Sequence, residues 1–261
     1  MKETEPTDAD GFARRGSLRL AERKNESALA DFNKAIGLAP DAASYYHQRA
    51  RVYLQGRQSA LAMSDLDRAI GLDPTFAEAL ADRARLKLLL ADKLGAMADA
   101  ALASQASPKQ ADLHFGLANI YDGAGKPDQA ILEYTSWIVS HPDDARLAVA
   151  LNGRCWARAL ANVDLDDAIK DCNRAIALKP KTSSFLDSRG LVEVRRGAFK
   201  EAVSDYGDAL AIAPKSAWSL FGRSMAYRAL GQTTAADADR SAAIQIKPTI
   251  VSDAAVFGFA G

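Results

Sequence analysis

The chain lacks any run approaching the ~18 consecutive apolar residues of a membrane-spanning helix, so no membrane insertion is expected. It also lacks an excess of charge: 33 lysines and arginines are matched by 33 aspartates and glutamates among 261 residues. No net field draws it to nucleic acid or to an anionic surface. Aromatic residues are scarce at 7%, against 48% apolar residues in which alanine is abundant. That mixture supplies a continuous core of small side chains and suits close-packed helices better than a sandwich of strands. Residues Met1 to Asp10 are acidic and polar, unlike a basic-then-apolar leader. The expectation is a cytoplasmic protein, with the periplasm as the alternative if an export signal lies upstream.

Chemistry-bearing side chains are few as well. His47, His114 and His141 are scattered, with no cysteine or carboxylate at ligand spacing, so no metal site is expected. There is no glycine-rich phosphate loop, nucleophile elbow or His-Glu-x-x-His stretch. Neither catalysis nor a cofactor is therefore expected. The carboxylate pairs Asp143-Asp144 and Asp166-Asp167 fall at helix starts, where negative charge favours the helix dipole.

What the chain does have is a period. Pro40, Pro74, Pro108, Pro142, Pro180, Pro214 and Pro248 stand 34, 34, 34, 38, 34 and 34 residues apart. A fixed period of this size signals a stacked array, each unit lending its neighbour an apolar face. With proline at position 32, the units run 9–42, 43–76, 77–110, 111–144, 145–182, 183–216 and 217–250. Residues 1–8 form a disordered tail, and residues 251–261 a capping segment or tail. Alanine stands twelve residues before each proline, at Ala28, Ala62, Ala96, Ala130, Ala168, Ala202 and Ala236.

In the second unit Ala62, Leu66, Ala69 and Ile70 mark one helical face, and Tyr46, Ala50 and Tyr53 another. Between the halves lie breaks such as Gln55-Gly56-Arg57, Gly125-Lys126-Pro127, Gly197 and Gly231, where glycine is suited to a left-handed cap. Each unit is thus a helix, a tight turn and an antiparallel helix that ends ahead of its proline. The fold class is all-α, an α-solenoid of antiparallel helix pairs. The third unit carries Ala96, Ala100 and Ala103 where others place a larger residue, and its core is expected to be thin. The seventh has Arg240 at a core position, as suits a terminal repeat with a wet outer side.

A second register lies inside the first. Arg15, Arg49, Arg83, Arg154, Arg189 and Arg223 match Asp31, Asp65, Asp99, Asp171, Asp205 and Asp239 across the hairpin. We read these as exposed ion pairs that fix register and contribute only ~0–1 kcal/mol each. The remaining unit has Leu117 and Glu133 instead. Cys155 and Cys172 face each other by the same arithmetic and form either a disulfide or two small buried thiols, depending on compartment.

The period, the small residues at positions 8, 20 and 27, and the proline at 32 resemble the tetratricopeptide repeats over residues 9 to 250, in a bacterial form. The resemblance implies a right-handed superhelix whose first helices line a groove that binds a peptide or partner protein. Carried onto this chain, the implied lining is His47, Arg51, Arg85, Asp112, Phe115, Asn119, Asn152, Trp156, Asp187, Leu191, Trp218, Phe221 and Met225. Aromatic and methionine side chains there are hot-spot material. The residues with which some relatives clamp a terminal carboxylate are missing, since Ala13 and Ser17 stand in their places. The expected function is a non-enzymatic interaction scaffold. The alternative is a structural protein, a homo-oligomer joined through array ends or the apolar tail.

Overall fold

A computed structural model describes residues 5–107 and 110–259, so part of the expected N-terminal tail, Pro108 and the last two residues lie outside the described residues. Among the described residues there are fifteen α-helices and no strand. The chain divides after Ala124 into two compact units. The first holds α1 (Ala9–Ala21), α2 (Asn25–Leu38), α3 (Ala43–Gln55), α4 (Ser59–Leu72), α5 (Ala77–Leu89), α6 (Lys93–Ala106) and α7 (Ala111–Ala124). The second holds α8 (Pro127–Ser140), α9 (Leu147–Ala161), α10 (Leu165–Leu178), α11 (Ser183–Arg196), α12 (Phe199–Ile212), α13 (Ala217–Ala229), α14 (Thr233–Ile246) and α15 (Ile250–Ala255). The boundary falls between the two helices of the 111–144 repeat.

In the first unit α1–α2, α3–α4 and α5–α6 are the tightest pairs, and each second helix leans on the first helix of the next pair. The second unit repeats this with α9–α10, α11–α12 and α13–α14, while α8 packs on α9. The seven alanines of the sequence register are fully buried, which lets paired helices approach closely. The residue before each described proline of the series is the C-cap of a second helix, with φ between −128° and −142°. Proline forbids the helical conformation to its predecessor, so helix after helix stops at one register.

The turns within pairs differ from expectation at one point. Gly125, Gly197 and Gly231 are left-handed, but in the second pair Gly56 has φ −80° and Arg57 takes the left-handed place. Arg23 and Ala91 do the same in the first and third pairs. In the irregular fifth repeat, three of its four additional residues precede Arg154 and one lies between Arg154 and Asp171, where Asn162 and Asp164 are both left-handed.

All six Arg–Asp pairs form, with Nε and a terminal nitrogen of each arginine gripping the two carboxylate oxygens. The expectation of exposed pairs needs correction, because these aspartates are only 1–9% exposed. They lie in the seam between helices, where an unpaired carboxylate is costly. Four of the six arginines also reach backward. Arg49 donates to Asn33 (2.6 Å), Arg83 to Asp67 (2.8 Å), Arg154 to Thr135 (3.2 Å) and Arg189 to Asn173 (2.8 Å), each acceptor lying on the preceding pair's second helix. One guanidinium therefore sets both the hairpin and its joint to the previous hairpin.

Candidate functional site

The first helices of the first unit present charge. Arg51 and Arg85 are exposed, and Arg85 bonds Asp82 at 2.6 Å. His47 is not free in this face: it is buried, its Nε2 is 2.9 Å from Asp82, and its ring meets Phe76 edge-on at 4.9 Å. Burial pulls the Asp82 carboxyl up, but the His47 hydrogen bond and the Arg85 charge outweigh it and hold the group below its ordinary value. An open recess of about 220 Å³ lies among His47, Arg51, Asp82, Arg85 and Asp112. On α7, Phe115 is half-buried, while Asn119 is exposed and donates to the Phe115 carbonyl at 2.8 Å.

The first helices of the second unit present aromatic surface, and that surface is occupied. Trp156 on α9 and Trp218 on α13 stand edge-to-face with ring centroids 6.4 Å apart, both half-buried. With Leu160, Leu191, Phe221 and Met225 they form a seat into which the C-terminal segment turns Phe257 and Phe259. The space left is about 10 Å³, room for a single water at most. Arg195 on α11 clasps the segment. Its Nη2 donates to the Phe257 carbonyl, its Nε donates to the Ala159 carbonyl at 3.0 Å, and its guanidinium lies 3.7 Å from the Phe259 ring centre. No carboxylate among the described residues pairs with it, and burial lowers its pKa.

Asp187 borders the same void and accepts a 2.5 Å hydrogen bond from Ser219 Oγ. Burial raises its carboxyl to about 6, with the Ser219 bond opposing. Deeper in α11, burial and the neighbouring Asp205 carboxylate push Glu193 well above the usual range. Lys247 caps the rim, 5.2 Å from the Trp218 ring centre.

Two expected lining residues line the seat but lie deeper than an open wall would place them. Leu191 and Phe221, placed by sequence on an open wall, are buried at 6% and 1% exposure. They are the floor of the seat, sealed by the C-terminal segment, and the Arg240 guanidinium stacks 5.5 Å from the Phe221 ring centre. Asn152 is half-buried, and its Oδ1 has no hydrogen-bond partner among the described residues. Arg195 is not among the expected lining, while Phe257 and Phe259 belong to the 251–261 segment expected as a cap or tail, whose apolar residues follow no repeat position. Beneath the seat, Cys155 and Cys172 are joined as a disulfide with Cα atoms 5.7 Å apart. Among the described residues no group of three His, Cys, Asp or Glu side chains is placed to hold a metal, and no helix is long and apolar enough to cross a membrane.

A family model described as "Tetratricopeptide repeat" matches residues 14–77, 95–145 and 157–217. No curated protein sequence matches the chain. Among solved structures, YrrB, described as a TPR protein with an unusual peptide-binding site, is 18% identical with a TM-score of 0.63, covering 72% of this chain and 95% of that one. PilW, a type IV pilus biogenesis factor, is 17% identical with a TM-score of 0.63, covering 80% and 94%. A tetratricopeptide repeat protein from Parabacteroides merdae is 13% identical with a TM-score of 0.61, covering 96% and 97%.

Proposed function

We propose that this chain, which belongs to the tetratricopeptide repeat family, is a non-enzymatic scaffold that takes up a segment of a partner protein on the first-helix face of its second unit. The observation that carries the reading is the seat itself. Trp156, Trp218 and Met225 converge from two first helices around an apolar depression beside an arginine that bonds a backbone carbonyl. Aromatic anchors in a desolvated centre with a polar clasp at the edge have the make-up of a binding hot spot. A peptide-binding site on a protein of the same fold, YrrB, is consistent with this use. The Cys155–Cys172 bond supports the oxidising, periplasm-like alternative for its compartment over the cytoplasmic one.

The test is selection of random peptides on the intact chain. Peptides that bind wild type and lose at least tenfold in affinity on W156A/W218A, but not on R51A/R85A, are expected. Peptides that depend on Arg51 and Arg85 alone would move the site to the first unit. No selectable peptide at all would count against the scaffold reading. Self-assembly through an apolar tail draws less support, because Phe259 is buried in its own chain.

A further inference from the structure

The C-terminal segment is more than a lid on the last helix pair. Covering the end of the array requires contact with α13 and α14, which α15 makes. The residues after α15 continue past that pair, however. Phe257 and Phe259 share a void with Trp156 and Leu160 of α9, and Arg195 of α11 ties the Phe257 carbonyl to the Ala159 carbonyl. A ten-residue stretch therefore meets the first helices of three successive pairs.

The way it is seated defines what fits. Two aromatic rings two residues apart go down, with Gly258 between them left-handed at φ +73°. A backbone carbonyl is offered to Arg195, and one ring lies under its guanidinium. The seating also leaves the tail open to exchange. Among the described residues, it covers a guanidinium whose polar partners are two carbonyls, and a carboxylate, Asp187, whose hydrogen bond is from Ser219. Desolvated charges answered in this partial way weaken the docked state relative to an apolar seat of the same shape.

We propose that residues 250–259 are a tethered occupant of the partner seat, and that the partner is a segment of another protein presenting a Phe-x-Phe pair, which enters by displacing them. The proposal rests on the scaffold reading above and names its ligand. A tether of this length keeps the tail at an effective concentration of ~mM, so a free segment meets a seat that is open for only a fraction of the time. Its apparent affinity falls by that fraction.

The experiment uses the full chain, wild type and F257S/F259S, with a synthetic peptide of residues 249–261 as probe and the same peptide with both phenylalanines replaced by serine as control. Fluorescence anisotropy is expected to show the probe binding F257S/F259S at least tenfold more tightly than wild type, with the control binding neither. Equal affinity for both chains, or no binding to an F257S/F259S chain whose circular dichroism is native, overturns the proposal. Should that variant fail to fold, wild type is read by hydrogen exchange: saturating probe is expected to speed exchange of the chain's own amides 253–259, and unchanged exchange overturns it. Sedimentation at rising concentration distinguishes a second copy as occupant. Monomers are expected, and dimers abolished by F257S/F259S overturn a foreign partner. Peptides selected on wild type that need Trp156 yet leave exchange of 253–259 unaltered would retain the scaffold and remove the tethered occupant.

Discussion

The two units are built from one repeat and differ in what the repeat displays. Residues 5–124 turn Arg51, Arg85 and Asp82 toward an open recess, whereas residues 125–259 turn Trp156, Trp218 and Met225 into a seat filled by their own C-terminal segment. Beneath both faces the same alanines and the same arginine clasps recur. Framework and display are thus separate sets of positions on one helix. Changes at the displayed positions alter what a unit meets without altering how it stacks.

The separation is broken most forcefully at the framework. Arg49→Ala and Arg223→Ala each leave a buried aspartate without its counter-charge, and each is expected to destabilise its own unit by about 3 kcal/mol or more, read from urea unfolding followed by hydrogen exchange. A large loss in one unit and none in the other would show that the clasps are not a common framework. Replacing Cys155 and Cys172 together by alanine acts on the second unit alone. Opening that short loop is expected to cost roughly 2–3 kcal/mol, and alkylation of the unreduced wild type should add no mass.

Acidity sharpens the comparison further. Asp82 in the first unit is held below its ordinary 3.8, so its contribution is present above that pH and is lost as pH falls. Asp187 in the second is raised from 3.8 to about 6, so the folded form binds the proton more tightly. The second unit is therefore favoured below about pH 4 and loses stability as pH rises to about 6. Asp187→Asn should abolish that loss, on the order of 2–3 kcal/mol at neutral pH, in melts taken across this range. The smallest effect concerns the turns. Ala91 is left-handed at φ 65° where later pairs have glycine, and Ala91→Gly is expected to raise first-unit stability by about 0.5–1 kcal/mol.

The periodic part of this molecule was legible in its sequence because its causes are local and recur. Proline stops a helix wherever it stands, alanine at a fixed offset fits a helix crossing, and Arg49 and Asp65 face each other across any hairpin of that length. The depth of the pairs was misjudged because exposure depends on the neighbouring pair, which no single repeat reveals. Glycine suggests the left-handed place at Gly56, but Arg57 takes it, since helix length there, not residue type, fixes where the turn falls. The burial of Phe221 and Leu191 is not legible in the repeats, because the segment that closes over them lies outside the period. Arg195 was missed for the same reason: its role is defined by Phe257 and Phe259, some sixty residues away in the chain.

The backward reach of the arginines bears on how such a chain grows. A duplicated stretch of 34 residues carries an arginine for the hairpin behind it and, like Asn33, Asp67 or Asn173, an acceptor for the hairpin ahead. A copy so equipped arrives with both halves of its own joint and can be gained or lost in register without new interface residues, whereas the repeats with Ala101 or Gly207 at the acceptor position lack one half. The 111–144 repeat has Leu117 where the arginine would stand, and leucine donates no such bond; it is also the repeat within which the chain divides into its two units.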